Sequence, residues 1–302
     1  NQAPLPGSAV MVDVATGEIL ALASYPGFDP NLMTGRISQD AYDEIESAGG
    51  WLNRATQGLY PPGSTFKIIT AIAGMKSGAV GPSEAIDCGP SLLVGNRAFP
   101  EHISEGYGPT DVEKMLIVSC NVWNYTVGLR MGIDRLAAEA ERLGLAERLL
   151  VSPMDGRSEY AETSRGMVIP TPAYKRRRGD GEWSLGDTAN TSIGQGYLLT
   201  TPLHMAAMMA SIARNETRTV LTLIHDPGRE LAHAGSKSLG LTPLQRRALL
   251  DGMTRCVEEG TATPVRIPGL AIAAKTGTAE YFKDGRKAHL AWTVGFAPAD
   301  NP

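Results

Sequence analysis

Residues 60–75 read Tyr60-Pro61-Pro62-Gly63-Ser64-Thr65-Phe66-Lys67-Ile68-Ile69-Thr70-Ala71-Ile72-Ala73-Gly74-Met75. From Ser64 onward, apolar side chains fall on almost every side of a helical wheel. A helix apolar all round belongs in the interior. The stretch therefore predicts a buried helix from Ser64 to Met75, punctuated before by Pro61-Pro62-Gly63 and ended by Gly78. Ser64 and Lys67 are three apart and share one face, a turn from each other. A serine hydroxyl is a weak nucleophile until a base takes its proton. Lysine can be that base only when neutral, so burial or a nearby cation must lower its ordinary pKa of about 10.4. The apolar helix supplies the burial. Its amino end adds positive partial charge beside Ser64, where an oxyanion would form. The pair alone is a weak signal, because a capping serine and a surface lysine give the same spacing.

Working outward, Ala9–Asp13 and Ile19–Ala23 read as strands around the Ala15-Thr16-Gly17-Glu18 turn, a hairpin. Thr110-Asp111-Val112-Glu113 predicts a capping box opening a helix. Thr201-Pro202 and Thr242-Pro243-Leu244-Gln245 are further helix starts. Ile133 to Leu145 also reads as helical. Ala271–Ala274 leads into Lys275-Thr276-Gly277-Thr278 as a late strand, and Leu290 to Phe296 follows a polar connection at Lys283 to Lys287. Strands at both ends and helices between predict an α+β fold, its first lobe built from both termini and a mostly helical lobe inserted between.

Two further groups of residues carry chemistry. Ser119-Cys120-Asn121 follows the helix begun near Thr110. Its second hydroxyl can relay a proton, and its amide can bind a substrate carbonyl and hold Lys67. A plain helix-ending turn also favours Ser and Asn. Lys275-Thr276-Gly277-Thr278 places a glycine in a strand, which marks close backbone approach or a bulge. An extended peptide can pair with such a strand, with Lys275 and the threonine hydroxyls meeting its carboxylate.

All three occur in one chain, in the order Ser-x-x-Lys, Ser-x-Asn, Lys-Thr-Gly. In this the chain resembles the serine β-lactamase and penicillin-binding protein superfamily. Within it the chain is similar to class B penicillin-binding proteins, most of all those of the penicillin-binding protein 2 type. That resemblance rests on Tyr60–Lys67, Gly186-Asp187-Thr188, Ile193-Gly194-Gln195-Gly196-Tyr197, Thr201-Pro202 and Lys275-Thr276-Gly277-Thr278-Ala279. The early Asp13-x-x-x-Gly17-Glu18-Ile19-Leu20-Ala21 hairpin and Phe296-Ala297-Pro298 extend it through nearly the whole chain.

The resemblance implies a β-lactamase/transpeptidase-like α+β fold, an antiparallel sheet flanked by helices plus a mostly helical lobe with the active site between them. One domain would span 1–302, with its α/β lobe from about 1–60 and 230–302 and its helical lobe about 61–229. It implies a peptidoglycan D,D-transpeptidase acylated by β-lactams. Ser64, Lys67 and Ser119 would be catalytic. Asn121, Lys275, Thr276, Gly277 and Thr278 would bind substrate, with Thr278 giving an oxyanion N–H. Implied partners are peptidoglycan stem peptides, β-lactams, a membrane glycosyltransferase and elongation-complex proteins. The implied location is the periplasmic side of the inner membrane, through an anchor outside this chain, and the family's last strand and C-terminal helix would follow Pro302. A serine β-lactamase or D,D-carboxypeptidase shares the nucleophile, and a β-lactam sensor or scaffold shares the fold. No cofactor is implied, but some relatives bind zinc between the first and second motifs. Here Cys120 fits such a site and Asp87, Glu101 and His102 are nearby, while Gly106-Tyr107-Gly108 stands where a histidine is expected.

Composition narrows the alternatives. Of 302 residues, 42% are hydrophobic and 20% charged, with net charge −4, which excludes a disordered or collagen-like chain. No basic face emerges, so nucleic acid is not an expected partner. The Lys175-Arg176-Arg177-Arg178 run reads as a solvated loop. Three cysteines, Cys88, Cys120 and Cys256, exclude a fully paired disulfide framework. His204, His225, His233 and His289 read as structural or solvated. No apolar run reaches the roughly 20 residues needed to cross a membrane, and neither a nucleophile elbow nor a phosphate loop is present.

Overall fold

The early alternation folds as a hairpin, β1 (Gly7–Val12) and β2 (Ile19–Tyr25), antiparallel with a bulge at Met11/Val12. Asp13 holds the turn by accepting hydrogen bonds from the Ala15 and Thr16 amides. Helix α1 (Gln39–Ala48) follows, capped by Ser38 and stopped by Gly49 at φ 69°. The computed structural model describes residues 5–151, 162–164, 166–223, 225, 235–283 and 286–302.

The apolar segment forms α2 (Lys67–Lys76) at the centre of the molecule. Ile68, Ile69 and Ile72 are fully buried there among Leu116, Trp123, Leu136 and Met208. Each such side chain contributes about 1.5–3 kcal/mol relative to exposure. The helix starts later than the periodicity suggests. Gly63–Phe66 is a 3₁₀ turn, with the Lys67 amide donating to the Ser64 carbonyl, and the α-helix begins at Lys67. Gly63 at φ 55° sets that tighter entry.

Between α2 and the next helix lie short antiparallel pairs that hydrophobic alternation did not reveal. These are β3 (Ile86–Cys88) with β6 (Gly108–Thr110), and β4 (Ser91–Val94) with β5 (Arg97–Pro100). Helix α3 (Val112–Val118) is capped by Asp111, not Thr110, because Thr110 is the last residue of β6, paired with Ile86. Ser119 ends α3 in the left-handed conformation at φ 62°. Helix α4 (Asn121–Met131) starts at once, and α5 (Ile133–Arg142) packs beside it. A two-residue pair, β7 (Leu150–Val151) with β8 (Glu162–Thr163), comes next.

The Lys175–Arg178 run is helical rather than a loop. It forms the end of α6 (Pro172–Arg178), with Thr171 as N-cap, Pro172 in the first turn and Gly179 as the stop. Lys175 pairs with Asp187 at 2.8 Å, and the Arg178 guanidinium lies over the Tyr174 and Tyr197 rings. Helices α7 (Leu185–Ser192), α8 (Pro202–Ala213) and α9 (Pro243–Glu258) begin at Ser184, Thr201 and Thr242. Thr242 and Gln245 complete the expected capping box.

The chain ends in a long antiparallel hairpin, β9 (Ala273–Lys283) with β10 (Arg286–Phe296). Strand β10 thus begins inside the stretch expected to be a polar connection. Among the described residues the two large hairpins are separate two-stranded sheets, both packed against α8. His204 is buried on α8, bonded to Thr201 Oγ1 and the Glu147 carbonyl at 2.7 Å each. His225 pairs with Glu18, His289 is exposed, and His233 lies outside the described residues. All three cysteines are free and buried.

Candidate active site

Three stretches far apart in sequence meet around the turn that carries Ser64. Strand β9 lies against it so closely that only glycine fits. A Cβ on Gly63 would come within 2.7 Å of the Thr278 carbonyl oxygen, and one on Gly277 within 3.0 Å of the Pro62 carbonyl oxygen and the Thr65 amide. The indole of Trp292 on β10 donates to the Pro61 carbonyl at 3.0 Å. From the other side, Gly63 N–H donates to the Gly194 carbonyl at 2.9 Å, and Tyr60 and Thr200 exchange backbone hydrogen bonds. The Ile193–Tyr197 segment is thus a buttress for the turn, a use that its sequence alone does not disclose.

One turn on, the whole Lys67 side chain is buried. Its side-chain nitrogen donates to the Ser119 carbonyl at 2.6 Å and to Asn121 Oδ1 at 2.6 Å, with Ser119 Oγ at 3.4 Å. The left-handed conformation of Ser119 brings its carbonyl and its hydroxyl to the same nitrogen. That conformation is costly for a non-glycine residue and persists only where surrounding structure holds it. Burial, and then the charge of Lys275, lower the Lys67 pKa to about 7, against Glu101 and Cys120, which raise it.

Lys275 is also fully buried. Its amine lies 3.1 Å from the Thr276 carbonyl and 3.4 Å from Thr261 Oγ1. Burial lowers its pKa to about 8. Thr276 Oγ1 also meets Thr261 Oγ1 at 2.8 Å, and the Thr261 amide donates to the Ile117 carbonyl at 3.2 Å. Thr261 therefore ties β9 to the end of α3. Nothing in the sequence marks it, since a threonine just past a helix end carries no motif. Thr278 is exposed on β9, opposite Ala291.

The expected soft-metal donors arrange themselves differently. Glu101 is buried, and its carboxylate accepts from the Asn121 amide at 2.8 and 2.9 Å and from the Val122 amide at 2.9 Å. The Cys120 thiol donates to it at 3.1 Å. His102 Nδ1 lies 2.7 Å from the same carboxylate, and its Nε2 lies 2.7 Å from the Tyr107 hydroxyl. Asp87 is exposed on β3. Both imidazole nitrogens and both carboxylate oxygens are engaged within the protein. Among the described residues no group of three or more His, Cys, Asp and Glu converges as metal ligands, so the zinc arrangement does not fit these side chains. Burial opposes the charge of Glu101, but hydrogen bonds from His102, the Val122 and Asn121 amides and Cys120 outweigh it, lowering its pKa to about 2. Cys120 is pushed up by a hydrogen bond with the Cys88 thiol, by burial and by Glu101, and stays a thiol.

Residues 7–302 match the penicillin binding protein transpeptidase domain. The chain is 32% identical over 326 residues to the peptidoglycan D,D-transpeptidase MrdA of Acinetobacter baumannii, covering 98% of this chain and 46% of that protein. It is 32% identical over 318 residues to the peptidoglycan D,D-transpeptidase PbpA of Mycolicibacterium smegmatis, covering 99% of this chain and 60% of that one. The chain thus spans about half the length of the curated relatives it matches. Among solved structures, penicillin-binding protein 2 of Helicobacter pylori in complex with MreC superposes with a TM-score of 0.85 at 28% identity, covering 98% of this chain and 54% of that one. Penicillin-binding protein 2 of Pseudomonas aeruginosa in complex with WCK 5153 gives 0.83 at 30% identity, covering 98% and 67%. The chain belongs to the penicillin-binding protein transpeptidase family.

Proposed function

We propose that this chain is the catalytic domain of a peptidoglycan D,D-transpeptidase that works through a Ser64 acyl-enzyme. The observation that carries the reading is Lys67, buried one turn after Ser64 with no carboxylate partner among the described residues and a pKa of about 7. A neutral amine has two N–H donors and one lone pair. The Ser119 carbonyl and Asn121 Oδ1 take the donors, which leaves the lone pair for the Ser64 hydroxyl.

Ser64 Oγ attacks the carbonyl of the penultimate D-Ala of a stem peptide as Lys67 takes its proton. The amides of Ser64 and Thr278 stabilise the tetrahedral oxyanion. Collapse breaks the peptide bond, and a proton passed from Lys67 through Ser119 leaves with the amine of terminal D-Ala. An amine from a neighbouring strand then attacks the ester, returns its proton along the same path and regenerates Ser64. Asn121 holds Lys67 through Oδ1 and donates its side-chain N–H to a substrate carbonyl. Lys275 and Thr276 receive the terminal carboxylate, and Gly277 lets the strand and the turn close together. β-Lactams present the same carboxylate and a reactive carbonyl, so they acylate Ser64.

We place the chain as a single domain on the periplasmic face of the inner membrane, working beside a glycosyltransferase and elongation proteins. The H. pylori relative is in complex with MreC, which supports a protein partner for this chain as well. The test is mass spectrometry after treatment with penicillin, which is expected to add one acyl group at Ser64 and none to Ser64→Ala. Labelling elsewhere, or none, refutes the reading. Rapid turnover of the adduct would instead identify a β-lactamase.

A further inference from the structure

We propose that Glu101 is a positioning residue for acylation, its buried carboxylate anchoring the first turn of α4 so that Asn121 Oδ1 stays on Lys67. The inference rests on the Ser64 reading above. Asn121 and Val122 are the first two residues of α4, and both aim their amides at Glu101. Unpaired amides at a helix start are satisfied by an anion, which the helix dipole also favours. The local N-cap, Cys120, offers only a sulfur at 3.3 Å from the Trp123 amide, a weak acceptor. Glu101 therefore does what a capping side chain usually does, but from nineteen residues upstream.

The geometry converts that anchor into control of the base. Asn121 is fixed at its backbone by Glu101 and at its side chain by Lys67, 2.6 Å away. Ser119, two residues before, bonds the same amine through its carbonyl. A slip of the first turn of α4 would therefore withdraw acceptors from Lys67. His102 and Cys120 steer the carboxylate from its other sides, and Tyr107 steers His102. The anchor is closed by hydrogen bonds among this chain's own side chains.

Glu101→Gln is the informative change. It keeps the shape but turns one acceptor into a donor facing amide N–H groups. The rate constant for acylation by labelled penicillin at saturation is expected to fall about 30-fold, equivalent to about 2 kcal/mol. The dissociation constant of the pre-covalent complex is expected to move less than about threefold, since Glu101 touches no ligand. A double-mutant cycle separates positioning from general loss of stability. In an Asn121→Ala background, Glu101→Gln should slow acylation by no more than about threefold, because the main arm of its route to Lys67, the Asn121 side chain, is already cut. Should Glu101→Gln not fold, His102→Ala, a change at a half-exposed side chain, is expected to slow acylation severalfold at unchanged affinity. Acylation within about twofold of wild type in the foldable variant, or fully multiplicative effects in the cycle, would overturn the proposal. Wild-type protein that is never acylated at Ser64 would instead overturn the functional reading.

Discussion

The pH dependence of acylation follows from two buried lysines with opposite duties. In the proposed reaction Lys67 must be neutral to take the Ser64 proton, and Lys275 must be charged to hold a carboxylate. Moving Lys67 from 10.5 to about 7 represents on the order of 5 kcal/mol of differential interaction. Below pH 7 its neutral fraction falls, reaching about one in a hundred at pH 5. Above pH 8 Lys275 loses its proton. Acylation is expected to trace a narrow bell with limbs at about 7 and about 8. Replacing Lys275 with Met removes the cation that helps depress Lys67. The acid limb should then move to higher pH, the alkaline limb should vanish, and the maximum should drop by about tenfold or more with the loss of a charge-assisted bond. The assay is quenched-flow labelling of Ser64 with fluorescent penicillin from pH 5 to 10. A profile flat between pH 5 and 8, or an acid limb that Lys275→Met leaves in place or moves down, refutes the reasoning.

Three further outcomes are expected. Gly63→Ala strains a residue at φ 55° and drives its Cβ to 2.7 Å from the Thr278 carbonyl. It should slow acylation by at least about 100-fold and lower the melting temperature, as read by labelling and calorimetry. Ser119→Ala keeps the carbonyl that holds Lys67 but removes the relay hydroxyl, so acylation at pH 7.5 should fall about 100-fold or more, with the folded far-UV spectrum retained. Lys67 has a folded pKa below its unfolded one, so the unfolded chain binds more protons above pH 7 and stability rises with pH. Between pH 7.5 and 9 wild type should gain about 1 kcal/mol per pH unit more than Lys67→Met in urea titrations, and equal slopes would contradict a buried neutral amine.

What the sequence disclosed divides by range. Ser64 with Lys67, and Ser119 with Asn121, are legible because a helix or a turn fixes neighbours at short spacing. The order of the three motifs then points to a shared cleft. The exact start of α2 is not legible, because periodicity counts apolar faces and is blind to the φ of Gly63. Thr110 reads as a cap but pairs as a strand, since the partner that decides it, Ile86, lies 24 residues away. The short pairs β3–β6 and β4–β5 are too brief to show alternation. Lys175–Arg178 reads as a solvated loop because its run of charge masks the Thr171-Pro172 start and the Gly179 stop. Thr261 and Glu101 act across long sequence separations on groups that no local pattern links to them.

Those separations also explain how two lysines can be buried inside one protein without a salt bridge. A buried lysine beside a carboxylate would stay protonated and could not act as a base. Among the described residues neither Lys67 nor Lys275 forms an ion pair. The nearby anion, Glu101, has its lone pairs committed to the start of α4 and to His102 and Cys120. Its charge still reaches Lys67 through space and opposes part of the depression. It stabilises the fold around the base without capturing the base's proton. Neutral Asn at 121 completes this separation. An aspartate there would set a second anion 2.6 Å from the amine and draw its pKa up. In the proposed mechanism the site keeps its negative charge one residue removed from its base, which a helix terminus allows and a direct salt bridge would not.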